Sequence, residues 1–157
     1  MKIRYLYFIA MILTLVLVFT ACAQESSRMQ DGYYTSEAAS FNSHGWKEYL
    51  TIYVSDNKIV TVEYGAYNAS GFLKSWDMDY MRNMNRIEGT YPNEYSRTYR
   101  IALLNWQTPD EIDAMTGATD SHASFQLLSE AVIAQARAGH KQVALIELPE
   151  SESQKKG

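Results

Sequence analysis

Alternating apolar and polar residues mark the first half of the chain after residue 30. The segment 50–54 places an apolar residue at every second position, and this period of two predicts a half-buried strand. Asp56 and Asn57 then form a turn signal. The segment 59–67 is rich in Val, Tyr and Thr and predicts the returning strand of a hairpin. An earlier segment at 31–38, which opens with Asp-Gly-Tyr-Tyr-Thr, has the same β-like character.

The spacing of apolar residues changes to three or four after this hairpin. Trp76, Tyr80 and Met84 lie at that spacing and predict a first helix. Pro92 fits the first turn of a helix, and it opens a second predicted helix that continues to about Trp106.

A third helix is predicted after a connection at residues 109–115. Its apolar stripe is the clearest in the chain and consists of Phe125, Leu128, Val132 and Ala136. Gly139 ends this helix, and the apolar run 143–146 predicts a last strand. Strands, then helices, then one strand are typical of the α+β class. We therefore expect a small, mainly antiparallel sheet with helices packed on it.

The N-terminus has the pattern of an export signal. Lys2 and Arg4 precede an apolar stretch, residues 5–21, that ends directly before Cys22. A basic start, a short apolar run and small residues at its end indicate a secretory signal peptide. The run is also slightly shorter than the roughly 20 residues that a membrane-spanning helix requires. An uncleaved signal anchor is the alternative interpretation.

Phe19-Thr20-Ala21-Cys22 resembles the lipobox of bacterial lipoproteins. The resemblance implies that Cys22 is lipidated, with palmitate among its acyl groups, and becomes the mature N-terminus. The resemblance also implies that the mature protein lies on the extracytoplasmic side of the cell membrane, to which the lipid anchors it. We therefore expect four regions along the chain: a signal peptide at 1–21, a tether at 22–30, a single folded domain at 31–148, and a disordered tail at 149–157.

Composition and charge narrow the possible partners. The chain is 46% hydrophobic and 20% charged, which is ordinary for a globular domain. Two of its 14 basic residues lie in the signal, so the mature chain has 12 basic against 18 acidic residues, a balance of −6. This charge argues against nucleic acid and against charge-driven binding of anionic lipid. Cys22 is the only cysteine, which excludes an internal disulfide, and no His or carboxylate spacing indicates a metal site.

The segment Asp113-Ala114-Met115-Thr116-Gly117-Ala118-Thr119 lies directly before the third predicted helix. Its Gly and Ala are small and let another group approach the backbone. The unpaired N–H groups and the dipole of a helix start favour a phosphate, and the Thr119 hydroxyl is able to form a phosphoester. The alternative is structural, because Thr116, Thr119 and Asp120 are good helix-capping residues. On the residues alone, capping is the favoured interpretation.

The same seven residues resemble the flavinylation motif of FMN-binding domain proteins. That family includes flavoprotein subunits of the Na⁺-pumping NADH:quinone oxidoreductase and many extracytoplasmic lipoproteins, and the resemblance extends over residues 31–138. It implies that the domain at 31–148 is an FMN-binding domain, with FMN held as a phosphoester on Thr119 and delivered from FAD by a Mg²⁺-dependent flavin transferase. It also implies electron transfer with membrane redox partners. The residues expected around the cofactor are Asp113, Thr116, Gly117, Ala118, Ser121 and His122.

Four aromatic residues are candidates to pack on the flavin ring. They are Trp46, Trp76, Tyr80 and Trp106, although large aromatics at helical spacing most often belong to the core. His122 lies on the same helix face as Thr119, so it either reaches the flavin or is simply exposed. No Ser/His/Asp set stands out, so we expect an electron carrier more than a stand-alone enzyme. The alternative is a surface lipoprotein that binds FMN non-covalently, or an antigen or ligand-binding module without flavin.

Overall fold

The computed structural model describes residues 28–149, and the predicted signal peptide, Cys22 and the last eight residues lie outside them. A four-stranded sheet with the order β3-β2-β1-β4 forms its centre. The strands are β1 (Gly32–Ala38), β2 (Lys47–Ser55), β3 (Lys58–Tyr67) and β4 (Ala144–Ile146). β2 pairs antiparallel with both β1 and β3, whereas β4 runs parallel to β1. The sheet is therefore mixed but mainly antiparallel, and the α+β prediction is confirmed.

The β2–β3 hairpin closes at the predicted turn. Asp56 and Asn57 have φ values of 51° and 62°, the left-handed conformation that a tight two-residue hairpin turn requires at both positions. Asn and Asp tolerate this region better than other non-glycine residues. The turn pairs Ser55 with Lys58, and the register of the two strands shifts once, between Tyr53 and Val54. Apolar β2 residues face one side of the sheet.

Three helices follow the hairpin: α1 (Met78–Glu88), α2 (Pro92–Trp106) and α3 (Thr119–Ala138). Asp77 is the N-cap residue of α1, and its carboxylate accepts a hydrogen bond from the backbone N–H of Tyr80 at 2.9 Å. The prediction that Trp76 belongs to this helix is wrong. Trp76 lies in a separate 3-10 turn, Lys74–Trp76, because the Asp77 cap starts the α-helix after it. Its ring is 65% exposed and takes no part in the core.

The core lies between one face of the sheet and the helices α2 and α3. The predicted α3 stripe is confirmed, because all four of its apolar residues are fully buried, as are their β2 counterparts Leu50, Ile52 and Val54. From α2, Tyr99 and Leu103 complete the same cluster. Each fully buried aliphatic or aromatic side chain stabilises the fold by roughly 1.5–3 kcal/mol. This core fixes the direction of α3 and therefore the position of its first residue, Thr119.

Three hydrogen bonds fix α3 along its length. Near its start, the Tyr64 hydroxyl lies 2.9 Å from the carbonyl oxygen of Ser121. At mid-helix, the Ser36 hydroxyl donates to the carbonyl of Leu128 at 2.7 Å. Near its end, the backbone N–H of Gln30 donates to the carbonyl of Ala136 at 2.8 Å. The start of α3 is thus held at the Tyr64 end of β3, and its end is held where the chain enters β1.

Residues placed in the predicted tether are already bound to the domain. Met29 packs against the core, and its N–H donates to the Asn57 side chain at 2.8 Å. Gln30 is held by α3, so contacts with the rest of the domain already exist before Asp31. Among residues 28–149, no helix has both the length and the apolar character needed to cross a membrane.

Candidate functional site at the start of α3

Gly117 brings the motif against the end of α1. It adopts the left-handed conformation, with φ at 77°. A Cβ atom at this position would fall inside van der Waals contact of the Glu88 carbonyl oxygen and only 3.0 Å from the carbonyl carbon. Backbone conformation and close approach both demand glycine here. The structure thus explains on steric grounds why the motif has glycine at position 117.

The first turn of α3 has no side-chain cap. Its N-cap residue is Ala118, with φ −130° and ψ 31°, and alanine has no oxygen to offer. His122 is the first helix residue whose N–H has a backbone acceptor, the Ala118 carbonyl at 2.9 Å. Within residues 28–149, the N–H groups of Thr119, Asp120 and Ser121 have no hydrogen-bond acceptor. The start of α3 is therefore a row of unpaired donors.

The capping interpretation of the motif is consequently wrong. Thr116 lies two residues before the N-cap position, and Thr119 and Asp120 already lie inside the first turn. Neither location lets a side-chain oxygen accept from the second or third helical N–H in the usual way. The Thr119 side chain is exposed and forms no hydrogen bond to another residue of the described part of the chain.

The other predicted site residues differ in exposure. Asp113 and Thr116 are exposed, Gly117 is half-buried, and Ala118 is buried. Ser121 is buried on the inner side of α3, where its carbonyl meets Tyr64. The structure thus gathers Thr116 to Ser121 at one helix start, with Thr119 on the outside and Ser121 on the inside.

His122 faces the connection that precedes α3. Its Nε2 atom lies 2.6 Å from the carbonyl oxygen of Ile112 and 3.3 Å from the Gln126 side-chain nitrogen. The ring also packs on Tyr99 with a centroid distance of 5.6 Å. His122 is therefore half-buried rather than exposed, and it ties the segment 109–115 to α3.

Tyr99 of α2 holds both sides of the motif, a role that sequence reasoning missed. Its hydroxyl accepts a hydrogen bond from the Met115 N–H at 3.1 Å and donates to the Ala118 carbonyl at 3.4 Å. Burial raises the pKa of Tyr99, against the opposing effect of the Met115 hydrogen bond, so the hydroxyl stays neutral and able to donate. From the sequence, the position of Tyr99 within the second predicted helix indicated only a core residue.

A cleft of about 160 Å³ opens beside the start of α3. We call it the Trp46 cleft, and its lining includes Phe41, His44, Trp46, Asp120 and Ser124. Of the four aromatic candidates, Trp46 is the one that lines this cleft, and Tyr80 packs on it with ring centroids 6.0 Å apart. Trp76 and Trp106 are exposed elsewhere.

A larger cleft of about 270 Å³ lies between β3, the 3-10 turn and α2. We call it the Lys74 cleft, and its lining includes Glu63, Lys74, Tyr95, Arg97 and Arg100. Arg100 pairs with Glu63 at 2.7 Å. Lys74 is only 6% exposed, its ammonium lies 4.7 Å from the centroid of the Tyr80 ring, and no ion pair within residues 28–149 includes it.

The electrostatics of Lys74 keep it charged. Burial acts to lower its pKa, but Tyr95, Tyr80 and Glu48 together outweigh burial and raise it. The face of the Tyr80 ring and the nearby Glu48 carboxylate already compensate the buried cation. The cleft lining has three basic side chains, Lys74, Arg97 and Arg100, against the two acidic side chains Glu48 and Glu63, so the Lys74 cleft is suited to a small anion.

Glu48 lines both clefts and is hydrogen-bonded to the residue that holds α3. The Tyr64 hydroxyl has one proton but two acceptors within reach, Glu48 Oε2 at 2.8 Å and the Ser121 carbonyl at 2.9 Å. Burial raises the pKa of Glu48 against the opposing effects of Lys74 and Tyr64.

No protein-family profile matches the chain, whereas comparison with individual proteins finds similar ones. The 15 kDa lipoprotein of Treponema pallidum (strain Nichols) is 34% identical over 133 residues, which are 85% of this chain and 93% of the relative. The crystal structure of the CPE2226 protein from Clostridium perfringens is 38% identical and superposes with a TM-score of 0.74. That match covers 77% of this chain and 99% of the solved one.

Proposed function

The chain belongs to the family of the 15 kDa lipoprotein of Treponema pallidum, and from that premise we propose that it is a lipid-anchored flavoprotein. In this proposal Cys22 holds the lipid on the extracytoplasmic side of the membrane, and Thr119 carries FMN as a phosphoester. The protein transfers electrons between membrane redox partners and does not act as a stand-alone enzyme. Cys22 lies outside the described residues, so the structural support concerns Thr119.

The flavin proposal rests on the exposed hydroxyl and the unpaired N–H groups at the start of α3. The Thr119 hydroxyl is exposed, and the N–H groups of Thr119, Asp120 and Ser121 have no acceptor among the described residues. A phosphate esterified to Thr119 would lie at the positive end of a 20-residue helix and beside these donors. The residues present therefore fit the phosphate end of the group.

The surroundings also suit an aromatic ring. The Trp46 cleft adjoins the same helix start through Asp120 and Ser124, and Phe41 and Trp46 give it aromatic walls. FMN, when bound, supplies one- and two-electron chemistry. The chain itself contributes position: Gly117 sets the motif against α1, and Tyr99 holds the backbone on both sides of it.

Attachment requires a second enzyme. Among residues 28–149, no basic side chain forms a hydrogen bond to the Thr119 hydroxyl, and the Nε2 atom of His122 is directed at the Ile112 carbonyl instead. The proposed donor is FAD and the proposed catalyst is a Mg²⁺-dependent flavin transferase. The Thr119 oxygen forms a bond to the phosphorus on the FMN side, the P–O–P bond of FAD breaks, and AMP leaves while the hydroxyl proton is released.

The test is the intact mass of the protein after co-expression with a flavin transferase. We expect an increment of one FMN less one water in the wild type and in Thr119→Ser, which keeps the hydroxyl. Thr119→Ala should lack the increment. Thr61→Ala, which removes another exposed hydroxyl from β3, is the matched control and should keep it. A wild-type chain without the increment, or one that Thr119→Ala does not alter, contradicts covalent attachment.

One observation favours a second candidate function, a surface lipoprotein that binds a small anion or FMN non-covalently. The buried Lys74 cation lines a cleft larger than the one beside Thr119. Yellow colour that is lost on denaturation and filtration would support non-covalent FMN. A colourless protein from a host that flavinylates other proteins would support an antigen or ligand-binding module without flavin.

A further inference from the structure

The chain enters the domain at one end, which we call the anchor pole. Met29 is hydrogen-bonded to Asn57 in the β2–β3 turn, and Gln30 is hydrogen-bonded to Ala136 in the last turn of α3. A Cβ atom on Gly139 would lie only 2.6 Å from the Gln30 side-chain nitrogen, which shows how closely the helix end is packed there. The hairpin turn, the end of α3 and residues 28–30 therefore meet at this pole.

The end of α2 lies at the same pole. Its last residue is Trp106, and the next residue, Gln107, is clamped to β3. The Gln107 side chain accepts from the Ile59 N–H at 2.7 Å and donates to the Ile59 carbonyl at 3.0 Å. Trp106 is 58% exposed, and Val60 close to the turn is 45% exposed. Two exposed apolar side chains therefore lie at the pole where the chain enters the domain.

The opposite end, which we call the distal pole, carries the candidate site. Thr119 and Ala136 are 17 residues apart on α3, which at ~1.5 Å per residue separates Thr119 from the anchor pole by ~25 Å along the helix. β3 runs from the turn to Tyr67, and Leu73 forms a bridge with Tyr67 there. The 3-10 turn that follows Leu73 places Trp76 at this distal pole.

We propose that the anchor pole rests on the lipid surface, with Trp106 at the membrane–water interface and Thr119 facing away from the bilayer. The inference depends on the lipidation of Cys22 in the proposed function but not on flavin. Cys22 and Arg28 are six residues apart, and a fully extended chain of that length spans at most ~22 Å. The anchor pole is therefore the part of the domain that a lipid on Cys22 holds nearest to the bilayer.

The chemistry of Trp106 favours the lipid surface as the occupant. Tryptophan has an apolar body and a polar N–H, and it accumulates at membrane interfaces for that reason. The mature charge of −6 argues against attraction by anionic headgroups. The domain can contact the lipid surface through its tether and an aromatic side chain, and neither contact requires a basic patch. In this orientation the Thr119 site faces partners that extend from the membrane or are water-soluble.

The experiment uses the full lipidated protein in phosphatidylcholine vesicles whose acyl chains are brominated near the headgroup. Trp76→Phe keeps Trp106 at the anchor pole, and Trp106→Phe keeps Trp76 at the distal pole. Trp46 is buried and common to both variants. Because bromine quenches only nearby indoles, we expect the Trp106 part of the emission to be lost in Trp76→Phe. Emission in Trp106→Phe should match that in unbrominated vesicles.

The outcomes separate this inference from the proposed function. If the protein floats with the vesicles and only Trp76 is quenched, or neither Trp is quenched, the orientation is overturned while the anchor stands. If the protein does not float, the anchor of the proposed function fails and the orientation fails with it. The same preparations can be read for the FMN mass increment, which bears on Thr119 alone. Circular dichroism of both Phe variants confirms that the fold is intact.

Discussion

Replacing Gly117 by alanine should destabilise the protein through two separate effects. The left-handed backbone, with φ at 77°, costs a non-glycine residue about 1–2 kcal/mol. The new Cβ would also press on the Glu88 carbonyl group, which belongs to the backbone and is held by α1. Forcing extra volume against a rigid neighbour typically costs about 1–3 kcal/mol more. We therefore expect Gly117→Ala to lower the free energy of unfolding by about 2–5 kcal/mol.

Gly89→Ala is the matched control. Gly89 has nearly the same φ, 74°, but no atom lies within 4 Å of the position its Cβ would take. It should therefore show the backbone cost alone. In urea unfolding followed by circular dichroism, the free energy of unfolding of Gly117→Ala should be about 1–3 kcal/mol lower than that of Gly89→Ala. In thermal unfolding, its Tm should be about 4–12 °C lower. Equal stabilities of the two variants would refute the close approach of the motif to α1. Flavinylation should fall in Gly117→Ala and persist in Gly89→Ala.

Three further predictions concern the site and the sheet. Thr119→Ala should change stability by less than about 0.5 kcal/mol in urea unfolding, because the hydroxyl caps nothing, whereas loss of a true cap costs about 1 kcal/mol. His122→Ala should speed hydrogen exchange of the amides in 109–115 by releasing Ile112, with Glu130→Ala as an exposed control on the same helix. Burial would raise the pKa of Glu37, but Lys47 and the Tyr67 hydroxyl hold it below its usual value. Glu37 therefore stabilises the fold above its unfolded pKa and loses this effect as pH falls through the lower folded pKa. Urea midpoints should accordingly place Glu37→Gln below wild type near neutral pH, with the gap narrowing as the pH falls below the unfolded pKa of Glu37, and a gap that widens in acid would contradict this sign.

The strands and α3 were predictable because their patterns are local and uninterrupted. The period of two in 50–54 reports one buried sheet face, and the four-residue stripe of α3 reports one buried helix face. α1 was harder, since only Met81 is buried on it and its apparent stripe began at Trp76. The Asp77 cap, which ends the 3-10 turn and starts the α-helix, decides that boundary. A single capping residue is a weaker signal than a run of apolar side chains.

The location of Thr119 at a helix start followed from the sequence, but its surroundings did not. Tyr64 and Ser121 are 57 positions apart, and Tyr99 and Ala118 are 19 apart, so no periodicity connects them. The absence of a cap at Ala118 also depends on where the backbone turns, which the approach of Gly117 to Glu88 determines. Capping preferences describe average helices, whereas this helix start is set by tertiary contact.

The position of β1 inside the sheet has a mechanical consequence. β1 follows directly from residues 28–30, where the chain enters the domain, and it is hydrogen-bonded to β2 on one side and to β4 on the other. A pull directed along β1 from its first residue would load the ladders on both sides in shear instead of opening them one bond at a time. A surface protein exposed to drag would resist extraction of its first strand because several bonds must break together.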